Sequence, residues 1–222
     1  MIATIYTKDG IVISTLSRDT FFEMQPSHES EAFYPIISDG HPHSALMWDK
    51  YAFVCRGMNS FMYDNTLISW LQEYQSHNAD ALPLETLRTD ILQFIQENRL
   101  DVMGVLAGYI DGKPYVYGFQ GDKCQRLNVS DKDEIVYNCS FLEHEEVVGK
   151  LFRELKIRNG DVWESRTGVR TRCDLFSISK AADMCHFMLS VNYHVNNINT
   201  SIFESPLMYE TVIIKPNIAL IA

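Results

Sequence analysis

The chain is poor in features that mark several large protein classes. No apolar stretch approaches the roughly 20 residues that a bilayer-crossing helix needs, so no membrane partner is expected. The first residues show no basic region followed by an apolar one, the pattern of a secretory leader. The five cysteines (Cys55, Cys124, Cys139, Cys173 and Cys185) are odd in number and contain no Cys-x-x-Cys pair. They read as free thiols of a reducing compartment, and a cytoplasmic protein is expected. Positive charge is scarce: 19 Lys and Arg stand against 29 Asp and Glu, a net charge of −10. A nucleic-acid surface needs clustered cations to displace counterions, so no nucleic-acid partner is expected. Gly104, Gly108 and Gly112 are not followed by Gly-Lys-Ser/Thr, which excludes a phosphate loop. Internal repeats, low-complexity tracts and linkers are also missing, so residues 1–222 read as a single domain.

What is present is an ordinary apolar content of 46%, enough for a buried core. Ala3–Tyr6 and Ile11–Ser14 are apolar runs around Asp9-Gly10, a hairpin signal. Phe33–Ile37 is a possible short strand, and Tyr51–Cys55 is another. Helical period follows over Asn59–Gln75, with Phe61, Leu67, Ile68, Leu71 and Tyr74 on one side. It returns over Leu84–Asn98, with Leu84, Leu87, Ile91, Phe94 and Ile95 on one face and Pro83 at its first turn. Val102–Tyr109 and Tyr115–Phe119 flank Asp111-Gly112 as the clearest hairpin. Strands are expected at Cys124–Leu127 and Glu134–Asn138, helices at about Glu143–Leu155 and Ser179–Val195, and a last strand at Glu210–Lys215. The charges of Ser140–Glu154 read as the solvated face of a helix. This order predicts an α+β fold: a four-layer αββα sandwich of two antiparallel sheets with a helix pair outside each.

Isolated chemical candidates each have a plainer explanation. His28, His41 and His43 read as parts of a solvated loop, since structural zinc sites need four ligands at recognisable spacing. Cys55 with His186 could form a thiol–imidazole pair, but Cys55 ends an apolar strand and reads as core, as does Cys185. Met184, Phe187, Met188 and Val191 read as core positions of the last helix. Asn196, Asn197 and Asn199 read as a helix-terminal turn. No cofactor and no metal site is expected.

Gly10-Ile-Val-Ile-Ser-Thr-Leu-Ser-Arg-Asp-Thr20 resembles a motif of the proteasome-type β subunits, N-terminal-nucleophile (Ntn) hydrolases, usually written G-V-V-[IL]-A-A-D-S-R-A-T. Gly10, the apolar run, Ser17, Arg18 and Thr20 fall in register with it. Tyr51–Asn59 with the helix after it, the hairpin within Asp101–Gly121, and the closing helix and strand are similar to the family in order and spacing. The resemblance implies a ring-type or other oligomer. It also implies a catalytic set of an N-terminal Thr with its own amine as base, an acid and a Lys.

Read residue by residue, that set is not matched. Met1 stands at or beside the Thr position and has no nucleophilic atom, and Ile2 is too large for ordinary methionine removal. Leu16 takes the acid's place, and no Lys occurs between Lys8 and Lys50. Thr4 would become N-terminal only if Met1–Ala3 were removed, which leaves three strand residues before the turn. The expectation is therefore a proteasome-like protein without threonine-peptidase activity, serving as a structural or interaction subunit. Trp70, Tyr74 and Phe152 are its candidate contacts. The alternatives are an active amide hydrolase with an unorthodox or processed nucleophile, and a small-molecule or peptide-binding module. The positions that decide between them are Met1, Thr4, Leu16, Ser17, Arg18 and Thr20.

Overall fold

Asp111 and Gly112 both have positive φ (50° and 72°), and Ile110 pairs with Lys113 across them. That two-residue turn matches the twist of the strands it joins, and it makes β5 (Val102–Ile110) and β6 (Lys113–Gln120) the best-defined hairpin. The computed structural model describes residues 2–16, 45–48, 51–57, 61–77, 83–142, 154–159, 162–167, 172–196, 209–216 and 218–221. Its other strands are β1 (Ile2–Tyr6), β2 (Ile11–Leu16), β3 (Ala45–Trp48), β4 (Tyr51–Gly57), β7 (Lys123–Arg126), β8 (Cys139–Leu142), β9 (Glu154–Asn159), β10 (Val162–Thr167), β11 (Tyr209–Lys215) and β12 (Ile218–Ile221). The helices are α1 (Phe61–His77), α2 (Leu84–Glu97) and α3 (Ile178–Asn196), with a short 3-10 turn at Cys173–Leu175.

The fold is α+β. One five-stranded sheet runs β12-β11-β2-β1-β8 and a second runs β3-β4-β5-β6-β7, while β9 and β10 form a separate hairpin. All pairings of named strands are antiparallel. The first strands of the chain thus pair with its last ones in a single sheet.

Side-chain alternation sorts the interior into three apolar layers. Ile2, Tyr6, Ile11, Ile13, Val212 and Ile214 of the first sheet meet Ala52, Val54, Val105, Ala107 and Val116 of the second. The opposite face of the first sheet (Ala3, Ile5, Val12, Leu16) packs against Ala181, Cys185, Met188 and Leu189 of α3. The opposite face of the second (Phe53, Cys55, Leu106, Phe119) packs against Leu67 and Leu71 of α1 and Leu84, Leu87, Ile91 and Ile95 of α2. An antiparallel sheet with one wet face reads as alternating apolar and polar residues. Here both faces are covered, which is why β5 reads as an unbroken apolar run and every residue of β2 is buried.

The Pro83 carbonyl starts α2 by accepting the Thr86 and Leu87 N–H groups (2.9 and 3.1 Å). Trp70 of α1 stacks on Phe94 of α2 at 4.3 Å, and the Tyr74 hydroxyl bonds Asp90. The expectation that Trp70 and Tyr74 mark an exposed contact surface is therefore corrected: they tie the two helices together. Phe152 lies outside the described residues.

Other expectations are corrected too. The strand placed at Glu134–Asn138 is an irregular segment with one bridge, Val129 to Ile135, and the strand is β8, a few residues later. Of the helix placed at Glu143–Leu155, residues 143–153 lie outside the described residues, and Glu154 and Leu155 open β9 instead. A second strand, β12, follows the one placed last. Phe187 is 54% exposed, because α3 turns Ala181, Cys185, Met188 and Leu189 to the sheet and leaves it on the far side. Phe33–Ile37, His28, His41 and His43 lie outside the described residues.

Candidate functional site

Of the six positions drawn from the sequence, Thr4 and Leu16 are described; Met1, Ser17, Arg18 and Thr20 lie outside the described residues. Thr4 sits in the middle of β1, between Ile13 of β2 and Ser140 of β8, and is 0% exposed. The residues before it are equally built in. Ile2 pairs with Thr15 and Leu142, Ala3 with Ser14 and Phe141, and both are buried. Leu16 ends β2 opposite Tyr209 and is 7% exposed in the layer under α3. Thr4 lies on the same face of β1 as Ile2 and Tyr6, which line the layer between the sheets. The sheet thus separates Thr4 from Leu16 and gives them no shared site.

Polar side chains do meet under α3. The His186 Nε2 and Thr211 Oγ1 are 2.8 Å apart, and Thr211 Oγ1 and Ser14 Oγ are 3.0 Å apart. The His186 ring stacks on Tyr209 (4.3 Å, 11°). Burial pulls the imidazole below its ordinary value, against a smaller upward push from Asp183, so His186 is neutral at neutral pH. Cys185 is the next residue inward. Its thiol donates weakly to the Ala3 and Val12 carbonyls (3.8 and 4.0 Å). Burial pushes that thiol far up, with Ser14 beside it acting the other way. It stays protonated, and a thiol is a poor nucleophile beside its thiolate.

A hydroxyl beside a neutral imidazole meets the first requirement of nucleophilic catalysis. The second is that a substrate can reach the hydroxyl. Ser14 and Thr211 are sealed between α3 and the sheet, so the seam orients and holds α3 and has no reachable nucleophile. The thiol–imidazole pair considered from the sequence does not form, since Cys55 lies beneath α1 and α2 and His186 lies on α3. Asn196 ends α3, while Asn197 and Asn199 lie outside the described residues. The signal for the seam was a serine and a threonine inside the apolar runs of β2 and β11, and only the pairing of those strands joins them.

A second polar cluster clamps α2 to the other sheet. The Tyr117 hydroxyl bonds Glu85, whose other oxygen accepts from Arg88 Nε at 2.9 Å. Arg88 lies over the Tyr117 ring and Arg126 over Tyr115. Burial, with Arg88 opposing, raises the Cys124 thiol. Each charged group here already has a partner, which fits a structural clamp. Among the described residues no three His, Cys, Asp or Glu side chains stand together as a metal-holding group, and no described helix is long and apolar enough to cross a membrane.

No protein-family model and no curated protein matches the chain.

Proposed function

We propose that the chain is a proteasome-like protein of Ntn-type αββα architecture, without threonine-peptidase activity, that acts as a structural or interaction subunit of an oligomer. The observation that carries this reading is the placement of Leu16. Where the resembling family has an ionisable acid, this chain has an aliphatic side chain packed into the apolar layer under α3. The alternative nucleophile Thr4 is sealed on the other face of the sheet. The sheet order supports the architecture: the first hairpin lies at the heart of one sheet, flanked by β8 and β11, with helices outside both sheets. Leu175 and Phe187, 67% and 54% exposed, are the large apolar side chains left in water among the described residues. They replace Trp70 and Tyr74 as candidate subunit contacts.

The test has two arms. Light scattering behind size exclusion is expected to give a mass above that of one chain. Incubation with fluorogenic peptides and an electrophilic probe for N-terminal nucleophiles is expected to give neither turnover nor an adduct by intact mass. A monomer at tens of micromolar would overturn the assembly half of the reading. An adduct or turnover would overturn the non-catalytic half.

A further inference from the structure

We infer that Thr4 and Ser140 hold one internal water molecule between β1 and β8. The two residues lie directly opposite each other in the ladder, so their side chains share a face. That face looks into the layer between the sheets, with Ile2 and Tyr6 on β1 and Leu142 on β8. The hydroxyl oxygens of both are shut from solvent and bond no protein group. A buried hydroxyl without a partner is costly, and native folds leave few of them. Two such groups on facing positions are a pair of ligands for the same partner.

The phase of the backbone ladder explains why they do not bond each other. The Tyr6 N–H donates to the Asn138 carbonyl at 3.0 Å. Antiparallel positions alternate between pairs that exchange backbone bonds and pairs that do not. Counting two residues back from Tyr6 and two forward from Asn138 makes Thr4–Ser140 a bonded pair, whose Cα atoms stand about 5.5 Å apart. The Ser14–Thr211 pair on the other face of the sheet gives the contrast. The Thr7 N–H bonds the Gly10 carbonyl at 2.9 Å, which turns the backbone of Ser14 toward β1 and leaves Ser14–Thr211 a non-bonded pair. Such pairs stand closer, at about 4.5 Å, and there the hydroxyls touch at 3.0 Å. At the wider Thr4–Ser140 position the hydroxyls do not bond each other, and one water bonded to both would join edge strand β8 to β1.

The inference rests on the register and on the two unpartnered buried hydroxyls, and it stands apart from the proposed function. Crystals of the full chain at high resolution are expected to show a water about 2.8 Å from both hydroxyl oxygens. In urea titrations Thr4→Val and Ser140→Ala are each expected to lower the folded-to-unfolded ratio roughly five- to thirty-fold. The double variant is expected to lose no more than the worse single one, since either loss releases the water. Tyr109→Phe is the control. Its hydroxyl is also buried without a partner, but the ladder sets it opposite Pro114, which offers no hydroxyl. That change is expected to leave the ratio unchanged or raise it. Additive losses in the cycle, or a more stable Thr4→Val, would overturn the inference. So would a crystal structure in which the two hydroxyls bond each other or the space between them is dry. The wild-type map decides alone if a variant does not fold.

Discussion

Replacing His186 with Phe separates the two things its imidazole does. The ring stacked on Tyr209 at 4.3 Å is kept, while the 2.8 Å bond to Thr211 Oγ1 is lost. Thr211 keeps its bond to Ser14, so no hydroxyl is left wholly unpaired. The expected cost is that of one hydrogen bond, about 1 kcal/mol at pH 7.5. His186→Ala removes the stacked ring as well, and is expected to cost about 0.5–1.5 kcal/mol more. The pH dependence provides the sharper test. Burial lowers the folded-state value of His186 below the 6.5 of a free histidine. Between the two values the unfolded chain holds more protons than the folded one, so stability falls as pH drops through 6.5. It stops falling once the folded imidazole also takes its proton. The Phe variant lacks this loss while keeping every other titrating group. The gap between wild type and variant is therefore expected to be widest at pH 7.5 and to narrow toward pH 5, read from urea midpoints at matched ionic strength. Parallel curves for the two proteins, or a gap that widens on acidification, would refute the account of His186 as a neutral, buried partner of Thr211.

Leu16→Asp would place a carboxylate at the position of the family's acid. Because that side chain lies in the apolar layer under α3, the charge is expected to cost about 3–4 kcal/mol in urea denaturation and to bring no peptide turnover. Gly104→Ala would put a Cβ 2.7 and 2.8 Å from the Phe53 ring and 3.3 Å from the Val54 carbonyl. Phe53 is fully buried and set edge-on against Phe119 at 5.5 Å, so a loss of about 1–3 kcal/mol is expected. Phe53→Leu in the same chain should recover part of it, and full stability in the single Ala variant would show that the ring has room to move.

The hairpins and helices that the sequence announces are those specified by local chemistry. Asp9-Gly10 and Asp111-Gly112 mark the β1–β2 and β5–β6 hairpins, and the 3.6-residue period marks α1 and α2. The strands that escaped notice are short or lie at sheet edges. β3, β8 and β12 have four residues each and pair on one side only. β8, Cys-Ser-Phe-Leu, has no β-branched residue and runs straight into a charged segment. It is a strand because β1, from the far end of the chain, offers it a ladder. Strand preference is decided by such neighbours more than by the residues themselves.

The polar positions follow the same logic one level up. Thr4, Ser14 and Thr211 stand out in the sequence as hydroxyls inside apolar runs, but a one-residue slip in register would send each to the opposite face. Only the observed pairings place Ser14 and Thr211 under α3 beside His186 and Thr4 between the sheets. The ladder phase then decides which hydroxyls touch and which stand apart. It also bears on chemistry at the N-terminal strand. Thr4 takes part in pairs with both Ile13 and Ser140. Trimming the chain back to Thr4 would remove the pairs of Ile2 and Ala3 with Thr15, Ser14, Leu142 and Phe141, yet leave the threonine hydroxyl facing the opposite sheet. A carbonyl could reach that hydroxyl only after β1 had left its neighbours, and a strand that has left its neighbours no longer positions a nucleophile.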